Sequence, residues 1–224
     1  MLGKTPATTA TITTSDGVTL YAATIGRGPI GLVMAEDVPH SICEELPEAE
    51  LFAQHGFRVE VFDWRDRGSS GTSGANPGRL DRDVDAAAAA LRSQGSRCVA
   101  LAGSYGGAAA AIVAAVSMHP APVALVAFDP AALRGQYIEG PFGPEGALSA
   151  APRLRIPVMY VTLQGDRFVP VPEVRRLERA TGSSVVRLLV VPSGLIGFGL
   201  LDLSPASARV QRAVFSFLRT NARC

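Results

Sequence analysis

Apolar residues along this chain occur mostly as short uninterrupted runs, separated by segments with helical periodicity. The runs that have the length of buried strands are residues 30–35, 58–64, 97–102, 123–128, 158–163 and 185–191. A strand covered on both faces is apolar at nearly every position, whereas a strand with one wet face alternates between apolar and polar residues. The pattern therefore predicts a mostly parallel sheet with helices on both faces.

The segments between these runs have the start and stop signals of helices. The predicted helices are residues 44–55, 81–94, 104–118, 170–180 and 204–221. Glycines follow the first two, and Ser204-Pro205 opens the last as a cap followed by a first-turn proline. Two β-rich stretches, 9–14 and 18–25, flank the turn Ser15-Asp16-Gly17 and predict an N-terminal antiparallel hairpin. We therefore expect a single α/β domain over residues 1–224, with an eight-stranded sheet.

The composition of the 224 residues narrows the function classes. Hydrophobic residues make up 47% and charged residues 18%, which excludes a disordered chain. With 21 Lys and Arg against 20 Asp and Glu, the net charge of +1 gives no reason to expect a nucleic acid or an anionic membrane as partner. No apolar run reaches the ~18 residues of a membrane span, and the N-terminus lacks the apolar core of a signal peptide. We expect a cytoplasmic protein that acts on a small molecule without a cofactor or metal, as a monomer or homodimer. The Ala-, Arg- and Gly-rich usage favours a bacterial source.

The three cysteines, Cys43, Cys98 and Cys224, are odd in number and widely spaced. This spacing predicts neither a disulfide framework nor a zinc site.

The strongest local signal is Ala102-Gly103-Ser104-Tyr105-Gly106-Gly107, between an apolar run and a helical segment. Small residues two positions before and after Ser104 permit a nucleophile elbow, the sharp strand-to-helix turn that exposes a nucleophile above a sheet. The N–H of Tyr105, at the positive end of the following helix, is in position to donate to an oxyanion. A glycine-rich turn needed only for close packing is the alternative.

Several segments, in chain order, resemble the α/β-hydrolase superfamily. Residues 62–70 are similar to the family's Asp-x-Arg-Gly-x-Gly-x-Ser turn, and residues 163–170 resemble its Gly-x-x-Asp-x-x-Val-Pro loop. The resemblance places Ser104 on the nucleophile and Asp166 on the triad acid, with Asp129 as the alternative acid. Only about 25 residues separate Asp129 from Ile156, which leaves little room for a lid. The chain is therefore similar to the small, lid-poor branch that includes dienelactone-hydrolase-like proteins.

The family's triad histidine has no counterpart here. Residues 192–198 occupy the corresponding loop, and Ile196 stands where the family has histidine. The chain has three histidines, and none follows His119. His55 and His119 are expected at helix ends away from the strand tips, whereas His40 follows the run 30–35 and is the candidate replacement base. A serine without a base is a poor nucleophile.

The loop after the run 30–35 carries Glu36 and Asp37, where the family often has His-Gly. Dienelactone-hydrolase-like proteins have a glutamate at a comparable place, which Glu36 resembles. A carboxyl in an apolar pocket can stay protonated and donate a hydrogen bond or a proton. Alternatively, both acids cap the following helix or face solvent. The residues expected to line the substrate pocket are Asp37, Trp64, Asp129, Tyr137, Phe142, Ile196 and Phe198.

Three hypotheses follow from a kept elbow and a missing base. The first is an enzyme of non-hydrolytic chemistry, which uses Ser104, Tyr105, Glu36 and His40, with Asp166 as a further catalytic candidate, on a small apolar or aromatic metabolite. The family resemblance allows C–C bond formation, addition, cyclisation or lyase chemistry, including natural-product biosynthesis. The second is an esterase or thioesterase with His40 as base. The third is a ligand-binding protein without catalysis.

Overall fold

A computed structural model describes residues 6–131, 143 and 145–224, and its strands form one eight-stranded sheet in the order β1-β2-β4-β3-β5-β6-β7-β8. The strands are β1 (Ala7–Thr13), β2 (Thr19–Ile25), β3 (Ile30–Ala35), β4 (Phe57–Phe62), β5 (Cys98–Ser104), β6 (Leu125–Phe128), β7 (Val158–Leu163) and β8 (Val186–Val191). β1 and β2 form the predicted antiparallel hairpin, and β2 also pairs antiparallel with β4. All other pairs are parallel, so the carboxyl ends of β3 to β8 lie at one edge of the sheet. The predicted fold class is confirmed.

Helices cover both faces of the sheet. They are α1 (Ile42–Gln54), α2 (Leu80–Ser93), α3 (Tyr105–Ser117), α4 (Ala147–Ala150), α5 (Val171–Ala180) and α6 (Ser207–Asn221). One core packs α2, α3 and α5 against the sheet, and the other packs α1 and α6 against the opposite face. None of the described helices is long and apolar enough to cross a membrane.

The start of α6 differs from the prediction. Its cap is Ala206, and Ser204 lies in the turn before it, where the Ser204 Oγ accepts the N–H of Ala206 at 3.1 Å. Ser204 therefore stabilises the turn before α6 and does not cap the first turn of the helix.

A disulfide joins Cys98 at the start of β5 to Cys224 at the end of the chain. Their Cα atoms are 5.5 Å apart, within the range for a disulfide. The expectation of no disulfide is therefore wrong, because the fold returns α6 to the central strand across 126 residues of sequence. Disulfides are typical of oxidising compartments, so the cytoplasmic location stays a prediction.

The turn after β4, where the sequence resembles the family motif, fixes the start of α1. Asp63 is buried and accepts the N–H of Ile42 at 3.0 Å and the N–H of Ser69 at 2.8 Å. The next arginine, Arg65, has a fully buried side chain paired with Asp16 at 2.9 Å and Asp83 at 2.7 Å. The bond between Asp63 and Ile42 anchors the end of the loop between β3 and α1, which carries Glu36, Asp37 and His40, and Asp37 in turn accepts the N–H of Gly106 just after β5.

Candidate functional site

The sharp turn between β5 and α3 is centred on Tyr105, one residue later than predicted. Tyr105 has a φ of +48°, whereas Ser104 is extended, with a φ of −125°. A Cβ on Gly103 would lie 2.5 Å from the Cα of Ala108, and one on Gly107 would lie 2.0 Å from the Ala35 carbonyl oxygen. The two glycines that the turn needs therefore flank Tyr105 symmetrically, which puts a tyrosine at its tip.

Ser104 is the last residue of β5 and is 1% exposed. Its Oγ has no hydrogen-bond partner among the described residues. Gly197 lies directly opposite, since a Cβ on that glycine would be 2.3 Å from the serine oxygen. Ser104 still lines the cavity described below, and its catalytic role stays a prediction.

Tyr105 and Asp166 are joined by a hydrogen bond. The phenol of Tyr105 donates to Asp166 Oδ2, and the N–H of Phe168 donates to Oδ1 at 2.7 Å. Burial and the bond to Asp166 raise the pKa of Tyr105 far above its usual value, so the phenol stays neutral and serves as a donor. The predicted acid therefore has a tyrosine as partner.

Asp129 is fully buried at the end of β6, with a φ of +40°. It accepts the N–H of Leu163 at 2.9 Å and the N–H of Gly197 at 2.8 Å. Burial raises its pKa to about 6. The carboxylate links the tips of β6 and β7 to the loop after β8, and Asp129 is not among the residues that line the cavity.

Two carboxylates occupy the amides at the tips of β3 and β5. Glu36 Oε1 accepts the N–H of Asp37 at 2.9 Å, and Asp37 Oδ1 accepts the N–H of Gly106 at 3.2 Å and that of Val38 at 3.1 Å. Asp37 thus lies at the positive N-terminal end of α3. Desolvation is the main cause of the raised pKa of Asp37, and the nearby Glu36 adds to it. Because Tyr105 is at the tip of the turn, the amides expected to bind an oxyanion are those of Gly106 and Asp37 rather than that of Tyr105, and both are bonded to the protein's own acids.

His40 lies at the rim beside these acids. Its Nδ1 is 3.7 Å from Glu36 Oε1, and its side chain is 49% exposed. The nearby Glu36 carboxylate is the main cause of the raised pKa of His40. The structure thus places this histidine at the cavity as a pair with a carboxylate.

A cavity of about 290 Å³ opens at this edge of the sheet. The described residues that line it are Glu36, Asp37, His40, Ser104, Tyr105, Phe168, Ile196 and Gly197. Ile196 and Phe168 are 43% and 49% exposed at the rim. Sequence reasoning missed Phe168 and Gly197, although both belong to the loops that resemble the family's. In the described part of the chain, no group of acids, histidines and cysteines is suited to hold a metal ion.

The other predicted pocket residues lie elsewhere. Trp64 is buried in the core below the site, and its Nε1 donates to the Glu36 carbonyl at 3.0 Å. Phe198 is 2% exposed and packs edge-to-face on Phe128 in the other core. Both were expected at the pocket, but their rings fill the cores under the strand tips. Tyr137 and Phe142 lie outside the described residues.

Known structures share this fold. Esterase Pf2001 of Pyrococcus furiosus is 20% identical over 98% of this chain and 94% of its own, with a TM-score of 0.82. Dienelactone hydrolase from Anabaena variabilis is 15% identical over 99% and 100%, with a TM-score of 0.75. A monoacylglycerol lipase of Paleococcus ferrophilus is 16% identical over 90% and 98%, with a TM-score of 0.71. No curated protein sequence matches significantly. The model of the alpha/beta hydrolase family matches residues 37–218, and the chain belongs to that family.

Proposed function

We propose that this chain uses the α/β-hydrolase fold for non-hydrolytic chemistry, in which a proton is moved on a small apolar or aromatic metabolite. The observation that carries the proposal is the occupation of the Asp37 and Gly106 amides by the carboxylates of Glu36 and Asp37. Acyl transfer needs such amides to be available for the developing oxyanion. An anionic carboxylate in the same place opposes that charge and favours a different reaction.

The triad of this chain is degenerate in our proposal. Ile196 can neither accept nor return a proton, and no histidine follows His119 in the sequence. Tyr105 stands at the tip of the turn, and its phenol already donates to Asp166. Among the described residues, no base bonds the Ser104 Oγ, which leaves the serine a poor nucleophile.

The proposed proton carrier is His40, with Glu36 as the residue that positions it. Neutral His40 takes a proton from a carbon acid of the substrate and becomes an imidazolium, which Glu36 stabilises. The exposed imidazolium exchanges its proton with solvent and returns a proton to another atom of the substrate or its product, so that the enzyme ends unchanged. A neighbouring carboxylate raises the pKa of a histidine, which makes the imidazole a stronger base for general acid–base work. Addition, cyclisation, C–C bond formation and lyase reactions, as in bacterial natural-product biosynthesis, can each proceed through such a step.

Deuterium exchange tests this proposal directly. The protein is incubated in D₂O with propiophenone and phenylacetone, and loss of the proton next to the carbonyl is followed by NMR. We expect exchange above the buffer rate, a loss of about 10²-fold or more in His40→Ala, and a smaller loss in Glu36→Gln. His119→Ala is the matched control, because that histidine is exposed at the end of α3. Equal rates for the protein and for His40→Ala would refute the proton-transfer role.

A ligand-binding protein without catalysis is the second candidate. The hydrogen bond between Tyr105 and Asp166 favours it, because two polar groups that already bond each other stabilise the site without being available for catalysis. Saturable ligand binding with no exchange and no turnover would support it. An esterase that uses His40 as its base would instead react with a fluorophosphonate at Ser104.

A further inference from the structure

We infer that the ligand of the cavity between Glu36, Asp37 and Phe168 carries a protonated amine on a small aromatic or apolar body. The inference rests on the proposed function, since it takes this cavity as the site where the substrate lies. It goes further by naming the chemical class that the cavity selects.

The polar lining is rich in hydrogen-bond acceptors. Glu36 uses Oε1 for the N–H of Asp37, and Asp37 uses Oδ1 for the N–H groups of Gly106 and Val38. Among the described residues, no donor reaches the second oxygen of either carboxylate. A ligand can therefore donate hydrogen bonds to the second oxygen of both carboxylates, and an ammonium group has three donors.

The charge of the lining points the same way. Two of the lining residues are acids, and the described lining holds no lysine or arginine. His40 is the single titratable base there, and its Nδ1 lies 3.7 Å from Glu36. Arg167 follows Asp166 in the loop after β7 but does not line the cavity. A carboxylate or phosphate ligand would add a further anion beside two partly desolvated acids, whereas a cation would relieve their repulsion.

The size and the apolar rim limit the rest of the ligand. The volume of about 290 Å³ is at the lower end of ligand sites, which span roughly 300–1,000 Å³. The half-exposed ring of Phe168 and the side chain of Ile196 offer an apolar wall above the acids. An aromatic face within reach of an ammonium adds a cation–π attraction. One aromatic ring with a short amine arm matches this cavity.

Three ligands of similar size and different charge test the inference by calorimetry at pH 7: 2-phenylethylamine, 2-phenylethanol and phenylacetate. We expect the amine to bind at least about tenfold more tightly than the alcohol, and phenylacetate to bind more weakly still. Asp37→Asn keeps an acceptor for Gly106 but removes the charge, and it should reduce the amine preference by about tenfold. Glu36→Gln serves as the second variant if Asp37→Asn does not fold. His119→Ala should match the unmodified protein.

His40→Ala separates this inference from the proposed function. Removing the histidine should abolish deuterium exchange and leave the affinity for the amine within a few-fold of that of the unmodified protein, because both acids remain. If the unmodified protein binds the amine more tightly than the alcohol but catalyses no deuterium exchange, the proposed function is refuted and the inference about the ligand stands. Equal affinities, a preference for phenylacetate, or no saturable amine binding at millimolar concentration would overturn the inference.

Discussion

The hydrogen bond from Tyr105 to Asp166 gives a direct test of the elbow geometry. Tyr105→Phe removes one hydroxyl and keeps the ring at the first residue of α3, where the φ is +48°. Asp166 is 7% exposed and would be left with the N–H of Phe168 as its partner. A hydrogen bond to a charged group stabilises a fold by roughly 1.5–3 kcal/mol. For a chain of this length, that loss corresponds to a fall in Tm of roughly 3–12 °C.

A second tyrosine supplies the matched control. Tyr160 is also buried, and its hydroxyl bonds the neutral Thr181 Oγ1 at 2.6 Å. Tyr160→Phe should cost about 1 kcal/mol, because both partners are uncharged. Urea unfolding followed by circular dichroism measures both variants at pH 7. If Tyr105→Phe were no more destabilising than Tyr160→Phe, Asp166 would not be the acceptor that the structure shows.

Three further predictions concern stability. The free energy of unfolding of the Cys98→Ser/Cys224→Ser variant should be lower by about 5 kcal/mol, the chain-entropy estimate for a loop closed across 126 residues. Unfolding the unmodified protein with and without dithiothreitol should give a similar difference in this free energy. Gly107→Ala places a Cβ 2.0 Å from a backbone oxygen and should lower the free energy of unfolding by about 3 kcal/mol. Gly165→Ala, with open space around it, is the control and should change that free energy by less than about 0.5 kcal/mol. Equal effects in urea titrations would contradict the close approach of α3 to β3. Burial raises the pKa of Asp129 from 3.8 to about 6, so its contribution to stability is present below about pH 4 and is lost as the pH rises through 6. Relative to Asp129→Asn, the free energy of unfolding of the unmodified protein should fall by up to about 3 kcal/mol between pH 4 and pH 7. If the free energies of unfolding of the two proteins changed in parallel with pH, Asp129 would not titrate in this way.

The strands could be predicted well from the sequence, because a strand buried on both faces leaves a continuous apolar run. The predicted runs 30–35 and 158–163 coincide with β3 and β7, and the order of strands and helices follows the prediction. The terminal positions of the helices differ by a few residues because caps such as Ala206 depend on the turn that precedes them.

The register of the elbow could not be read from the sequence. Small residues flank both Ser104 and Tyr105 at a distance of two, so the local pattern fits either residue at the tip. The chemistry of serine favoured the first, but the approach of Gly107 to the Ala35 carbonyl decides for the second. Such a contact joins residues far apart in the chain and leaves no local signal.

The orientation of the aromatic residues was equally hidden. Trp64 and Phe198 follow strand tips, as a pocket residue would, yet both turn into the cores. Phe168 stands in the same kind of loop and faces the cavity. Whether a ring after a strand points inward depends on the turn, and residue type alone does not encode it. The disulfide between Cys98 and Cys224 was missed for a similar reason, since its partners meet only in the folded chain.

Fluorophosphonate labelling tests the central claim, chemistry without an acyl-enzyme, most directly. The protein is incubated with a fluorophosphonate at pH 7 and its intact mass is measured, with Ser104→Ala in parallel. We predict no adduct on either protein, because no described residue bonds the Ser104 Oγ and the amides of Asp37 and Gly106 are bonded to Glu36 and Asp37. A stoichiometric adduct that disappears in Ser104→Ala would show an activated serine nucleophile and contradict the account.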